Sequence, residues 1–288
     1  MRRTSDRPGQ AGFTLIEMIV AITITAILSA IVALFIRLPL QGYFDVSRRA
    51  ELTDAADLAV RRITREVQGA LPNSVRVSTV AGVTYLEFLA VRAGGRYREQ
   101  PAGTCPGGNS DELEIGLSDT CFRTLGDIAE IGQIVAGSDS LVVYNLGAGH
   151  ADADAYVGAN RVLVASATDG AGSETFTFAS TTFPLASPSR RFFVVSGPVT
   201  YACDPTAGNQ VLRRHWGYAI AAAQPTPPAG GATALLADGV TGCSIAYVAG
   251  AGSRNGVVNI SLTLTRSDAG GNAENVTLYT QAHVVNSP

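Results

Sequence analysis

The rhythm of apolar positions changes twice along this chain. From Phe13 to Ile36 nearly every position is apolar, with Thr14, Glu17, Thr23, Thr25 and Ser29 as the polar members. As a helix rising ~1.5 Å per residue, this run covers roughly 36 Å, enough to cross a bilayer core of ~30 Å. Pro39 and Gly42 predict a kink or local break after it. Beyond them Leu52, Ala56, Ala59, Ile63 and Val67 recur at steps of 4, 3, 4 and 4, the spacing of an amphipathic helix. Gly69 and Pro72 predict its end. From Asn73 onward short runs rich in Val, Tyr, Phe and Thr alternate with Gly, Asp, Asn and Ser clusters, a strand pattern. It predicts strands over 74–80, 84–91, 140–145, 161–165, 174–178, 191–195, 199–203, 210–220, 243–249, 257–265 and 275–285. Residues 94–111 and 222–231 read as surface loops, and 232–236 as at most one helical turn. The predicted class is α+β: a long N-terminal helix, half membrane-type and half amphipathic, packed on a mostly antiparallel, β-rich C-terminal domain. The predicted divisions are 1–12, a basic flank; 13–38, an apolar helix; 39–72, its amphipathic continuation; and 73–288, the β-rich domain.

Composition narrows the function. The chain has 288 residues, 46% of them hydrophobic and 16% charged, with a net charge of −3. That excludes a disordered chain and a basic nucleic-acid binder. All 21 basic residues are Arg, so mechanisms that need a Schiff-base or P-loop lysine are excluded. His150, His215 and His283 stand in separate segments, and no GxSxG, HExxH or P-loop spacing occurs. No catalytic residue, metal or cofactor is therefore assigned, and the chain does not read as an enzyme. Asp152 and Asp154 lack the spacing of a calcium loop and read first as a turn. Trp216 beside Arg213 and Arg214 reads as a core residue or as part of a binding surface. The charged residues between Arg48 and Glu66 read as a solvated face or as subunit contacts.

The apolar run itself allows three readings: a cleaved secretory signal, a retained anchor or a buried core helix. Arg2, Arg3 and Arg7 against Asp6 place its front flank in the cytoplasm and the rest of the chain across the membrane. The small residue, Gly12, lies before the run and not after it, which favours retention. A carboxylate within such a helix costs a few kcal/mol and marks either a position near the bilayer surface or a function. The context of Glu17 is Gly12-Phe13-Thr14-Leu15-Ile16-Glu17-Met18. This resembles the class III signal of type IV prepilins and type II secretion pseudopilins. Those signals have a short basic leader, Gly before the cut, Phe after it and Glu as the fifth residue beyond. The resemblance implies cleavage between Gly12 and Phe13 by prepilin peptidase, methylation of the new amine on Phe13, and an assembly role for Glu17. That amine and Glu17 share a helical face at i+4, and a carboxylate in a low-dielectric core needs such a partner, in its own chain or a neighbour's. The membrane is engaged through residues 13–36.

Further stretches extend the resemblance. GGRYR from Gly94, FFVVSGPVTYACD from Phe192, LRRHWGY from Leu212 and the ending VTLYTQAHVVNSP are similar to the large minor pilins of MSHA pilus systems, the MshO type. PilW-type minor pilins and J-type pseudopilins share the plan. The resemblance implies a processed minor pilin that helps initiate or cap a filament. Its partners would be the major pilin, other minor pilins and the inner-membrane assembly platform. It would sit in the inner membrane with a periplasmic domain, then near the filament tip. A domain over 73–288 has a radius of gyration of roughly 17 Å, and such bulk is best accommodated where neighbours above are missing. The most apical pseudopilin typically lacks the acid found at Glu17, which implies a place just beneath the apex. A tip adhesin or a type II secretion pseudopilin are the alternative functions. Cys105, Cys121, Cys203 and Cys243 all lie in the exported part, where an even count predicts disulfides. Of three possible connectivities, Cys105–Cys121 with Cys203–Cys243 is preferred because each closes a local loop.

A side chain at Gly12 should crowd the peptidase, because glycine leaves the backbone open to close approach. Gly12→Val should leave the precursor uncut in the inner membrane, and mass spectrometry of the N-terminus reads the outcome.

Overall fold

The computed structural model describes residues 12–250, 255–267 and 271–288. Residues 1–11, which hold most of the expected leader, lie outside the described residues. One helix, α1 (Leu15–Gln68), runs for 54 residues. Its backbone stays helical through positions 39 and 42, so of the expected kink or break a break is absent. A proline deletes one rung of the hydrogen-bond ladder at about 3 kcal/mol, and this helix has many rungs on either side. Its end agrees with the reading from Gly69: the Gly69 and Ala70 N–H groups close the last turn onto the carbonyls of Arg65 and Val67.

The chain forms two compact units, residues 1–51 and residues 52–288. In the second, among the described residues, twelve strands follow the helix. They are β1 (Arg76–Val80), β2 (Val83–Arg96), β3 (Asp119–Arg123), β4 (Ser140–Val143), β5 (Arg161–Thr168) and β6 (Thr175–Thr181), then β7 (Arg191–Asp204), β8 (Val211–Trp216), β9 (Ala232–Asp238), β10 (Val240–Val248), β11 (Gly256–Ser267) and β12 (Ala273–Val284). Every strand ladder is antiparallel. A nine-stranded sheet runs in the order β1-β2-β7-β4-β5-β6-β3, with β8 on β7 and β9 on β8; β10, β11 and β12 form a second sheet.

Leu52, Ala56, Ala59, Ile63 and Val67, the stripe read from the sequence, are all buried, joined by Val60. They share one core with Leu86 and Phe88 of β2, Tyr201 of β7, and Val258, Ile260 and Leu262 of β11. The helix thus contributes one apolar stripe to a core that both sheets close.

Several strands differ from the expected pattern. The segments 191–195 and 199–203 are one strand, β7, which crosses Gly197 (φ +115°) and Pro198. Opposite them β2 shifts register around Val91, the signature of a bulge that bends both strands without ending them. The expected loop over 94–111 begins inside β2, and residues 232–236 are strand β9 and not a helical turn. Alanine and leucine there have helix propensity, but pairing with β8 overrides it. β3 was not legible at all, because Asp119-Thr120-Cys121-Phe122-Arg123 shows no apolar run.

A second core lies on the β4–β6 side. Phe192 meets Phe122 edge-on at 5.0 Å between ring centroids and Phe176 at 5.2 Å. Gly95 explains how this ring fits: a Cβ there would come within 3.0 Å of the Phe192 ring. Phe192→Ala empties the centre of that cluster and should cost about 3–5 kcal/mol, read as a lower midpoint in urea unfolding of the detergent-solubilised chain with unchanged m-value.

Candidate functional site

The N-terminal site is built from the first turns of α1. Thr14 precedes the helix and Glu17 is its third residue. The Glu17 N–H donates to Thr14 Oγ1 at 3.4 Å, and the Thr14 N–H donates to Glu17 Oε2 at 3.5 Å. Both contacts are long, but their reciprocity is that of a capping box, in which Thr and Glu three apart satisfy each other's orphan N–H groups. The carboxylate also sits at the positive end of the helix dipole. The Thr-x-x-Glu spacing in the sequence is the signal for this box, which stands beside the assembly role expected of Glu17.

The span Leu15–Ile36 is long and apolar enough to cross a membrane, and none of its residues is buried. That removes the core-helix reading. Thr23 and Thr25 do not interrupt the apolar surface. Their hydroxyls donate to carbonyls one turn back, at 2.9 Å to Val20 and 2.7 Å to Ala21. Gly12 is exposed, and a Cβ built on it would meet nothing within 4 Å. No packing among the described residues demands glycine there.

The head places the other sequence-selected residues apart. Cys105 lies at disulfide distance from Cys121, and Cys203 from Cys243, with Cα separations of 6.3 and 6.4 Å. Asp154 is buried and accepts the Tyr156 N–H, while Asp152 sits in a single turn of 3₁₀ helix, so this stretch is a turn. Among the described residues no three His, Cys, Asp or Glu side chains gather as metal ligands. Arg213 and Arg214 point to opposite faces of β8, as strand alternation requires. Arg213 is exposed, whereas Arg214 bonds Glu66 of α1 at 2.9 Å and stacks on Trp216 at 4.7 Å. They do not make one surface. His215 is half-buried, and burial followed by the neighbouring Arg213 charge lowers its pKa.

Two polar clusters were not legible. Glu87 is fully buried; Arg76 holds one carboxylate oxygen at 2.6 Å, and Thr200 and Tyr218 donate to the other at 3.2 and 3.1 Å. Arg76 lies 3.6 Å over the Tyr156 ring and also donates to the Ala221 and Ala222 carbonyls, pinning the 222–231 loop. Both carboxylate oxygens being engaged, this is a fastening and not an open acid. Glu66 accepts from Arg62 and Arg214. Burial pushes its carboxyl upward, but the hydrogen bonds from Arg214 and Arg62 and the Arg214 charge outweigh this and hold it below the ordinary value.

The comparisons with known proteins bear on the N-terminal site. The family described as "Prokaryotic N-terminal methylation motif" matches residues 7–33. This supports a type IV prepilin-like protein, a structural and not an enzymatic class, and implies processing by prepilin peptidase in the context of pilus assembly. The apolar helix fits the membrane anchoring of such a protein. The comparisons with curated proteins and with solved structures each give no match.

The depressed Glu66 pKa has a defined sign. A carboxyl lowered by folding stabilises the fold fully above its unfolded pKa, and that contribution is lost as pH falls through the folded value. Glu66→Gln should therefore lower stability at pH 7 by about 1 kcal/mol. The gap from the unsubstituted protein should close as pH drops below the ordinary carboxylate range, measured by thermal melts from pH 7 to 3.

Proposed function

We propose that this chain is a minor pilin, cut between Gly12 and Phe13 by prepilin peptidase, methylated on Phe13, and built in few copies near the tip of an MSHA-like type IV pilus. The observation that carries the reading is the coincidence of three features on one segment. The methylation-motif match, an apolar helix with no buried residue, and Glu17 in the first turn all fall within residues 7–36. A helix apolar on all sides needs lipid before assembly and other helices after it. The Gly12 geometry agrees, because the requirement for glycine then comes from an enzyme that must approach the backbone.

On this reading the chain begins as a single-pass inner-membrane protein, N-terminus in the cytoplasm and β-rich domain in the periplasm. Its partners are the major pilin, other minor pilins and the assembly platform. The close pairs Cys105–Cys121 and Cys203–Cys243 are disulfides formed after export. A head of this size supports a low copy number, because each subunit of a shaft must fit its head among close neighbours.

The capping box makes Glu17→Gln more telling than an apolar replacement. Glutamine also accepts an N–H at the third helical position, so helix start, insertion and cleavage should persist. It cannot neutralise a methylated amine. Incorporation into sheared filaments, measured by immunoblot against the cell-bound pool, should fall at least about tenfold. Wild-type incorporation would leave capping as the only role of Glu17 and remove the pairing argument.

A further inference from the structure

The sheet edges differ in how they are protected. In the nine-stranded sheet β1 and β3 are 5 residues long and β9 is 7, and the ladders of β3 and β9 are bulged. In the smaller sheet the ladder of β10 is bulged between Val240 and Gly242. These are the devices by which natural proteins blunt an edge. β12 has none of them. It is 12 residues long and pairs with β11 without a register shift, from Ala273 opposite Ser267 to Val284 opposite Gly256. It contains no proline or lysine and a single acid, Glu274. From Asn275 to Val284, among the described residues, no other main-chain hydrogen bond reaches it. Half of its N–H and C=O groups therefore face outward in a straight row, which is complementary to another extended backbone and to little else.

A groove of about 380 Å³ runs beside this edge, between α1 and β12. Val60 and Leu278 give it an apolar wall, and Thr64, Arg65 and Thr280 give it polar ones. The Thr64 hydroxyl is buried and makes no hydrogen bond. Arg65 is exposed and, unlike its neighbours Arg61 and Arg62, forms no ion pair among the described residues. The groove thus offers apolar contact and an uncompensated positive charge next to an unpaired strand.

We propose that the outer edge of β12 receives a strand from a different protein subunit, one that alternates apolar residues and carries a carboxylate facing Arg65. A second copy of this chain fits less well. Antiparallel pairing of β12 with itself requires a two-fold axis normal to the sheet, which puts both helices on one face and sets Arg65 toward its own image. The inference rests on the head alone and does not depend on the processing of the N-terminus.

The test uses the full chain in detergent and a fluorescein-labelled heptapeptide in which valine and threonine alternate around a central glutamate. Anisotropy should rise saturably with a Kd of about 10–100 µM. Methylating the alternate amide nitrogens that face β12 should weaken binding at least about tenfold, since only the ladder is removed. Arg65→Glu should weaken the glutamate peptide about fivefold and restore binding to a peptide with central lysine. No saturation by about 1 mM, equal affinity for the methylated peptide, or indifference to the charge exchange would each overturn the proposal. Displacement of the peptide by rising concentrations of the chain itself would overturn the choice of a different subunit. The methylated-peptide comparison uses the unsubstituted protein, so it decides the matter even if Arg65→Glu does not fold.

Discussion

The contact on which the head depends is the burial of one helical stripe, Leu52, Ala56, Ala59, Val60, Ile63 and Val67, against residues from both sheets. Three-stranded β10–β11–β12 has one apolar face, and β2, β7 and β8 have another; neither could stay exposed in water. The helix supplies the third side that closes them. Alanine at two of the six positions keeps the stripe flat, so the sheets approach the helix closely, while leucine, isoleucine and valine each contribute about 1.5–3 kcal/mol on burial. Glu66 then fixes the rotation of the helix, since its bond to Arg214 fixes one side of it to β8. A helix turned by one position would break that ion pair and bury a charge.

The large sheet is organised around β7 for a related reason. It is 14 residues long and borders β2 along its length, β4 on its first half and β8 on its second. Gly197 and Pro198 separate the halves. The first half faces the phenylalanine cluster and the second half faces the helix. One strand thereby joins two cores that share no side chain, and the bulge at Val91 of β2 lets both strands bend between them. Three of the four sequence stretches similar to large minor pilins, all but the ending on β12, are neighbours here. Gly94 and Gly95 oppose Phe193 and Phe192, and the Leu212–Trp216 stretch opposes Val199–Cys203. Their joint occurrence is explained by packing: small residues on β2 make room for large ones on β7.

What could be read from the sequence was whatever depends on a single period. The apolar span, the stripe from Leu52 to Val67 and most strands follow from side-chain spacing, and spacing survives without tertiary knowledge. The failures have one cause each. At 232–236 the local preference for helix was weaker than an available partner strand. At 119–123 the strand is held by its neighbours and carries no pattern of its own. Glu87 was invisible because its burial is made by Arg76, Thr200 and Tyr218, which come from three separate stretches. At the N-terminal site Gly12, Phe13 and Glu17 could be selected from their spacing, yet the bond between Thr14 and Glu17 needed the backbone of the first turn.

That bond changes how the acid in the apolar helix is understood. A carboxylate needed only as a counter-charge would be an unpaired liability whenever its partner amine was absent, during synthesis and insertion. As part of a capping box it has the Thr14 N–H within reach and sits at the positive end of the helix dipole. Of the two contacts only the one from the Thr14 N–H, at 3.5 Å, uses the carboxylate, and it is long enough to be exchanged for a stronger ionic one at little loss. On the proposed reading, glutamate at this position combines a weak local bond that holds the side chain with a carboxylate that meets a cationic partner. Neither an aspartate, too short to reach back, nor a glutamine, without charge, does both.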